Sequence, residues 1–129
     1  MERRALTLEL VAGSYAVVRL DAGAPPPAWA AGGPFVSITR TAAELSVVCP
    51  QEAVPPGAQA ERGWRCLRVA GPLGFGMTGI LASLAGPLAS SGVSIFVVST
   101  YDTDYLMMQQ RDLDRGIDAL ARAGHTVVR

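Results

Sequence analysis

Val93-Ser94-Ile95-Phe96-Val97-Val98-Ser99-Thr100-Tyr101-Asp102-Thr103-Asp104-Tyr105-Leu106-Met107-Met108-Gln109-Gln110 is the stretch that decides the fold of this 129-residue chain. The β-branched and aromatic run Val93–Ser99 predicts a strand buried on both faces. Tyr101-Asp102-Thr103 predicts a sharp turn, and Asp104–Gln110 a strand returning antiparallel to the first. On its N-terminal side, Arg65–Val69 reads as a strand and Gly71–Gly76 as a glycine-rich turn. Met77–Ser90 reads as a helix, with Ile80, Leu81, Leu84 and Leu88 recurring at spacings of three and four. Thr78 stands where a cap is expected, Pro87 predicts a kink or early fraying, and Gly92 a left-handed stop. On its C-terminal side, Asp112 stands at the cap position of a second helix, Leu113–Ala123, whose apolar face is Leu113, Ile117, Leu120 and Ala121. Gly124 ends that helix, and His125–Val128 is the last strand. From about Trp64 onward the order is βαββαβ, a ferredoxin-like α+β unit.

The first half reads as β-rich. Leu6–Val11 alternates Leu6, Leu8 and Leu10 with Thr7 and Glu9, and Gly13-Ser14 with Tyr15–Leu20 suggests a hairpin. Asp21–Pro34 is a loop with Trp29 at its middle and room for one helical turn. Phe35–Arg40 and Glu44–Cys49 are two further strands joined by Thr41-Ala42-Ala43. Pro50–Gly63 carries Pro50, Pro55, Pro56 and Gly57 and is the credible linker. This places domains at 1–63 and 64–129. An ungapped internal echo aligns Ser37–Val48 with Val97–Met108, each a strand, a tight turn with an acidic residue and a strand.

Composition narrows the function classes. Eleven basic residues, all arginine, balance eleven acidic ones. Without lysine there is neither Schiff-base chemistry nor a P-loop lysine. Without a basic stripe, nucleic acid and membrane surfaces are poor partners. Cys49 and Cys66 have no metal-ligand spacing and read as buried small hydrophobes. The N-terminus lacks a signal-like apolar run, which points to the cytoplasm. No charge falls between Arg68 and Asp102, but the glycines and prolines there fit a buried helix and a buried strand better than a membrane span.

Gly74-Phe75-Gly76-Met77-Thr78-Gly79 spells the glycine pattern of dinucleotide sites, with Asp102 lying 23 residues further on. The hairpin argues against that reading, since a dinucleotide fold needs a crossover helix after its second strand. A glycine turn opening a helix still offers unpaired N–H groups to an anion, such as an amino acid's carboxylate. The alternative is that the glycines only permit tight packing. Asp102 and Asp104 admit turn chemistry, ligand binding, or an acid/base or metal pair. His125, the single histidine, reads as surface structure, and Met107-Met108 as strand filler. Trp29 and Trp64 flank loops.

Gly71–Leu81, Pro87-Leu88-Ala89, Val93–Phe96, Ser99–Tyr105 and Ala119–His125 resemble the ACT-domain proteins related to the CASTOR arginine sensors and to the regulatory domains of aspartate kinases. Tyr15–Leu20, Pro27-Ala28-Trp29 and Ser37–Ser46 resemble the first half of stand-alone bacterial members. The resemblance implies tandem ACT domains, the first degenerate, with a free amino acid held between them. It implies that Gly79 and Ile80 receive the carboxylate and Asp104 the ammonium, beside Thr100 and Tyr101, with Ser46 and Val47 facing the ligand from the first half. Where the arginine sensors carry an acidic residue beside the helix start, Met77 stands here, which favours an apolar or smaller ligand side chain. The expected protein is a regulatory sensor rather than an enzyme, needing no cofactor or metal, with a homodimer or a partner enzyme as the candidate assemblies. The alternatives are a protein-interaction module without a small ligand and a carboxylate-based enzyme.

Overall fold

The computed structural model describes residues 5–71 and 78–129. Among these the elements run β1 (Thr7–Leu20), β2 (Ser37–Arg40), β3 (Leu45–Pro50), β4 (Ala60–Val69), α1 (Ile80–Ser90), β5 (Ile95–Ser99), β6 (Asp104–Gln109), α2 (Leu113–Arg122) and β7 (Thr126–Val128). The chain divides into two units: residues 5–11 with 65–129, and residues 12–64. The later boundary falls one residue from the expected domain junction. The earlier one places the first seven described residues with the C-terminal unit.

That C-terminal unit follows the βαββαβ order from β4 to β7. Its strand order is β7-β1-β4-β6-β5. The start of β1 stands between the first and last strands of the order, which a plain ferredoxin-like sheet pairs directly. Here β7 pairs in parallel with β1, Thr7 opposite Thr126 and Glu9 opposite Val128. The leucine alternation explains the insertion. Leu8 is fully buried, Leu6 and Leu10 pack on the same core, and Thr7 and Glu9 stay exposed. Leu67, Val69, Leu106 and Met108 from the sheet meet Leu84 and Leu88 of α1 and Leu113, Ile117 and Leu120 of α2. Gly116 lets α2 approach β6 closely: a Cβ there would lie 2.7 Å from the Met108 sulfur, so the methionine would have to shift.

Several expectations need correction. Leu6–Val11 and Tyr15–Leu20 are not a hairpin but one strand, in which Gly13 takes a φ of +92°. A glycine between two alternating runs signals a bulge as readily as a turn. Helix α1 begins at Ile80, not Met77, and Thr78 does not cap it: Gly79 is the N-cap, without a side-chain hydrogen bond. The helix continues through Pro87 to Ser90. The Val93–Ser99 strand starts at Ile95 and is half-buried, because β5 is an edge strand with only one apolar face on the core. Asp112 is the N-cap residue of α2, as expected, but its carboxylate makes no capping bond and pairs with Arg115 at 2.8 Å instead. The glycine-rich segment 72–77, including Gly74, Gly76 and Met77, lies outside the described residues.

The N-terminal unit has no α-helix. Strands β2, β3 and β1 pair antiparallel around Ala16, Val18, Leu45, Val47 and Cys49, joined by Ala30 and Val54 from loops. Arginines clasp those loops. Arg40 donates to the carbonyls of Ala22 and Ala24, and Arg62 to those of Gln51 and Pro55. Pro50–Gly63 is therefore not a free linker. It holds a 3-10 turn at Gln51–Ala53, Gln51 Oε1 accepts the Gly63 N–H at 2.9 Å, and β4 already begins at Ala60.

The two echoing segments are both antiparallel hairpins closed by a threonine. Thr41 N–H donates to Glu44 O at 2.9 Å, and Thr100 N–H to Thr103 O at 2.8 Å. The turns lie between Arg40 and Leu45 and between Ser99 and Asp104. Thr41 therefore matches Thr100, one residue off the sequence alignment, and Glu44 is not the counterpart of Asp104.

Candidate functional site

The expected ligand-binding residues of the C-terminal unit gather at one end of its sheet. Thr103 is buried, and its hydroxyl donates to the Val69 carbonyl at 2.6 Å. Val69 closes β4, and from there the chain leaves toward α1. The hydroxyl thus pins the tip of the β5–β6 hairpin to the strand end that leads to Gly79 and Ile80.

At the helix start Gly79 is exposed and left-handed, with φ +76°. Its carbonyl accepts the Ser83 N–H at 3.0 Å, closing the first turn. The Ile80 side chain is buried in the core, so only its backbone is available to a ligand. The first N–H groups of a helix have no intrahelical acceptor, and the N-cap Gly79 has no side chain to cap them. That leaves donors and a partial positive charge for a carboxylate.

At the hairpin tip the Ser99 hydroxyl donates to Asp104 Oδ1 at 2.6 Å, across the last strand pair. This holds the carboxylate while leaving further lone-pair sites for an ammonium. The Thr100 hydroxyl donates to the Thr103 carbonyl at 3.1 Å, so it shapes the turn. Tyr101 is 82% exposed. Asp102 is exposed, and Thr100 rather than Asp102 closes the turn. No group of three metal-ligating side chains occurs among the described residues.

Ser46 and Val47 lie on β3 of the N-terminal unit and point to opposite faces, as neighbours on a strand must. Ser46 is half-buried, whereas Val47 is fully buried in that unit's core and offers only backbone. Both thiols are buried. Burial pushes Cys66 up to about 12, and burial followed by Glu52 raises Cys49, so neither is a nucleophile at neutral pH.

Sequence reasoning missed Thr103 and Ser99, the two side chains that fix the tip. Both stood in the motif, but nothing separates a turn threonine from one that donates 34 residues back along the chain. It also placed His125 on the surface. The residue is buried, with Nδ1 accepting the Leu6 N–H at 3.1 Å and Nε2 facing the Ser83 carbonyl at 3.0 Å.

A family model for the ACT domain matches residues 59–122, from β4 to the end of α2. The chain is an ACT-domain protein. A second family model, for an N-terminal domain, matches residues 13–57. The ACT-domain protein is 29% identical over 131 residues to the cytosolic arginine sensor for mTORC1 subunit 1 of Bos taurus, a match covering 90% of this chain. It spans only 40% of that sensor's length. Among solved structures, it is 44% identical to a protein of Agrobacterium tumefaciens, with a TM-score of 0.93 over 98% of this chain and 94% of that one. The aspartate kinase of Synechocystis shares the fold, with a TM-score of 0.65 at 21% identity, over 95% of this chain and 27% of the kinase. No helix among the described residues is long and apolar enough to cross a membrane.

Proposed function

We propose that this ACT-domain protein is a cytoplasmic, non-catalytic regulatory module that binds a free amino acid. The N–H groups at Gly79 and Ile80 receive the α-carboxylate, and Asp104 the ammonium, beside Thr100 and Tyr101. The N-terminal unit is read as a degenerate ACT-like domain. One observation carries the reading: Thr103 ties the hairpin that bears the Ser99-held carboxylate to the end of β4, the strand that precedes the glycine-started helix α1. The name of the arginine sensor supports the ligand class.

A thermal-shift screen of the free amino acids tests it. At least one is expected to raise the melting temperature, since a ligand that binds only the folded chain stabilises it by mass action. Asp104→Ala is expected to weaken that binding by about 1.5–3 kcal/mol, the scale of a charged hydrogen bond. An unchanged affinity removes Asp104 from the site, and a folded chain that binds no amino acid contradicts the reading.

The edge strand favours a second role. Ile95, Val97 and Val98 of β5 are only half-buried on an edge with no proline or charge to blunt it. Such an edge suits pairing with a second copy or a partner enzyme. Molecular mass measured across a dilution series, with and without amino acid, separates a binding module from a purely interacting one.

A further inference from the structure

Pro87 sits inside α1, yet the helix runs on to Ser90. In an α-helix the carbonyl of residue i accepts the N–H of residue i+4, so the donor due to Ser83 is the N–H of residue 87. Proline has none. The Ser83 carbonyl instead meets Nε2 of His125 at 3.0 Å, from the far end of the unit's sequence. The other ring nitrogen accepts the Leu6 N–H at 3.1 Å, which fixes the tautomer with the proton on Nε2. Ser83 also closes the first turn of α1, through its N–H to Gly79 O at 3.0 Å and its hydroxyl to Ile80 O at 2.7 Å.

We propose that His125 is a positioning residue for the start of α1, supplying to Ser83 the hydrogen bond that Pro87 cannot give. The histidine and the proline form a matched pair: one removes a donor from within the helix, and the other restores it from the junction of α2 and β7. Because Ser83 closes the turn that begins at Gly79, this bond sets where the helix-start N–H groups point. Their use for a carboxylate rests on the amino-acid reading above; the pairing itself does not.

A mutant cycle on the full chain without ligand tests the pairing, so its outcome is separate from whether any amino acid binds. His125→Asn keeps a polar atom near the Nδ1 position for Leu6 but is too short to reach Ser83. His125→Gln carries an amide donor near the Nε2 position and loses the bond to Leu6. Each is expected to shift the unfolding equilibrium about five-fold, the scale of one hydrogen bond. Pro87→Ala then returns an N–H at residue 87. It is expected to stabilise the His125→Asn chain more than it stabilises the wild type, and the His125→Gln chain no more than the wild type. The amide resonances of Gly79, Ile80 and Ser83 are expected to move in His125→Asn and to return in the double variant. An equal gain from Pro87→Ala in all three backgrounds, or helix-start resonances that ignore His125→Asn, overturns the proposal.

Discussion

The C-terminal unit covers one face of its sheet with two helices. The N-terminal unit covers its sheet with loops. Leucine and methionine dominate the first core, with Leu8, Leu67, Leu84, Leu88, Leu106, Met108 and Leu120 all fully buried. The second is built from smaller residues, Ala16, Val18, Ala30, Val47, Cys49 and Val54 beside Leu45. Where helices are missing, arginine side chains hold the loops by their carbonyls, as Arg40 and Arg62 do. The contrast separates two ways of closing a small sheet: one through apolar area, which is roughly additive, and one through directional bonds at exposed positions, each of which contributes little.

Truncation tests that contrast with the largest effect. Leu84→Ala is expected to cost about 2–5 kcal/mol in urea unfolding, and Val54→Ala, which loses two methyl groups, about 1.5 kcal/mol. Equal losses would mean that the loop-built core is as demanding as the helix-built one. Thr103→Val is expected to cost about 1–3 kcal/mol, because it leaves the Val69 carbonyl unsatisfied in a buried place. The same substitution should weaken amino-acid binding, since it frees the hairpin tip. The smallest effect is alkaline. Burial keeps Cys66 protonated up to about pH 12 in the folded chain, while the unfolded thiol ionises from about 9.0. The unfolded chain therefore gives up its proton first. The contribution of Cys66 is complete below pH 9 and is lost as pH rises from 9 toward 12. By pH 10 the loss is on the order of 1 kcal/mol, and Cys66→Ala should flatten that part of the pH profile.

How far each unit was legible follows from the same contrast. Helix periodicity and the hairpin signal placed α1, α2, β5 and β6 within a few residues, because burying a helix face imposes a spacing on the sequence. The loop-built unit carries no such spacing, so Pro50–Gly63 read as a linker when Gln51 and Arg62 in fact tie it down. Gly13 read as a turn because the same residue serves a turn and a bulge. Asp104 and the helix start stood out in the sequence as candidates, because residue type carries the chemistry there. The roles of Thr103 and His125 were not legible, since their partners lie 34, 42 and 119 residues away in the chain. Nor could spacing show that Val47 turns into a core while Ser46 does not. That depends on which face of β3 is covered.

Amide chemical shifts of the nitrogen-15-labelled chain, recorded as each free amino acid is titrated in, test the central claim most directly. The account predicts that one amino acid moves the resonances of Gly79, Ile80, Thr100, Tyr101 and Asp104 together and saturably. Spectra of a folded chain that no amino acid perturbs, or a saturable response that leaves Gly79, Ile80 and Asp104 in place, would contradict it.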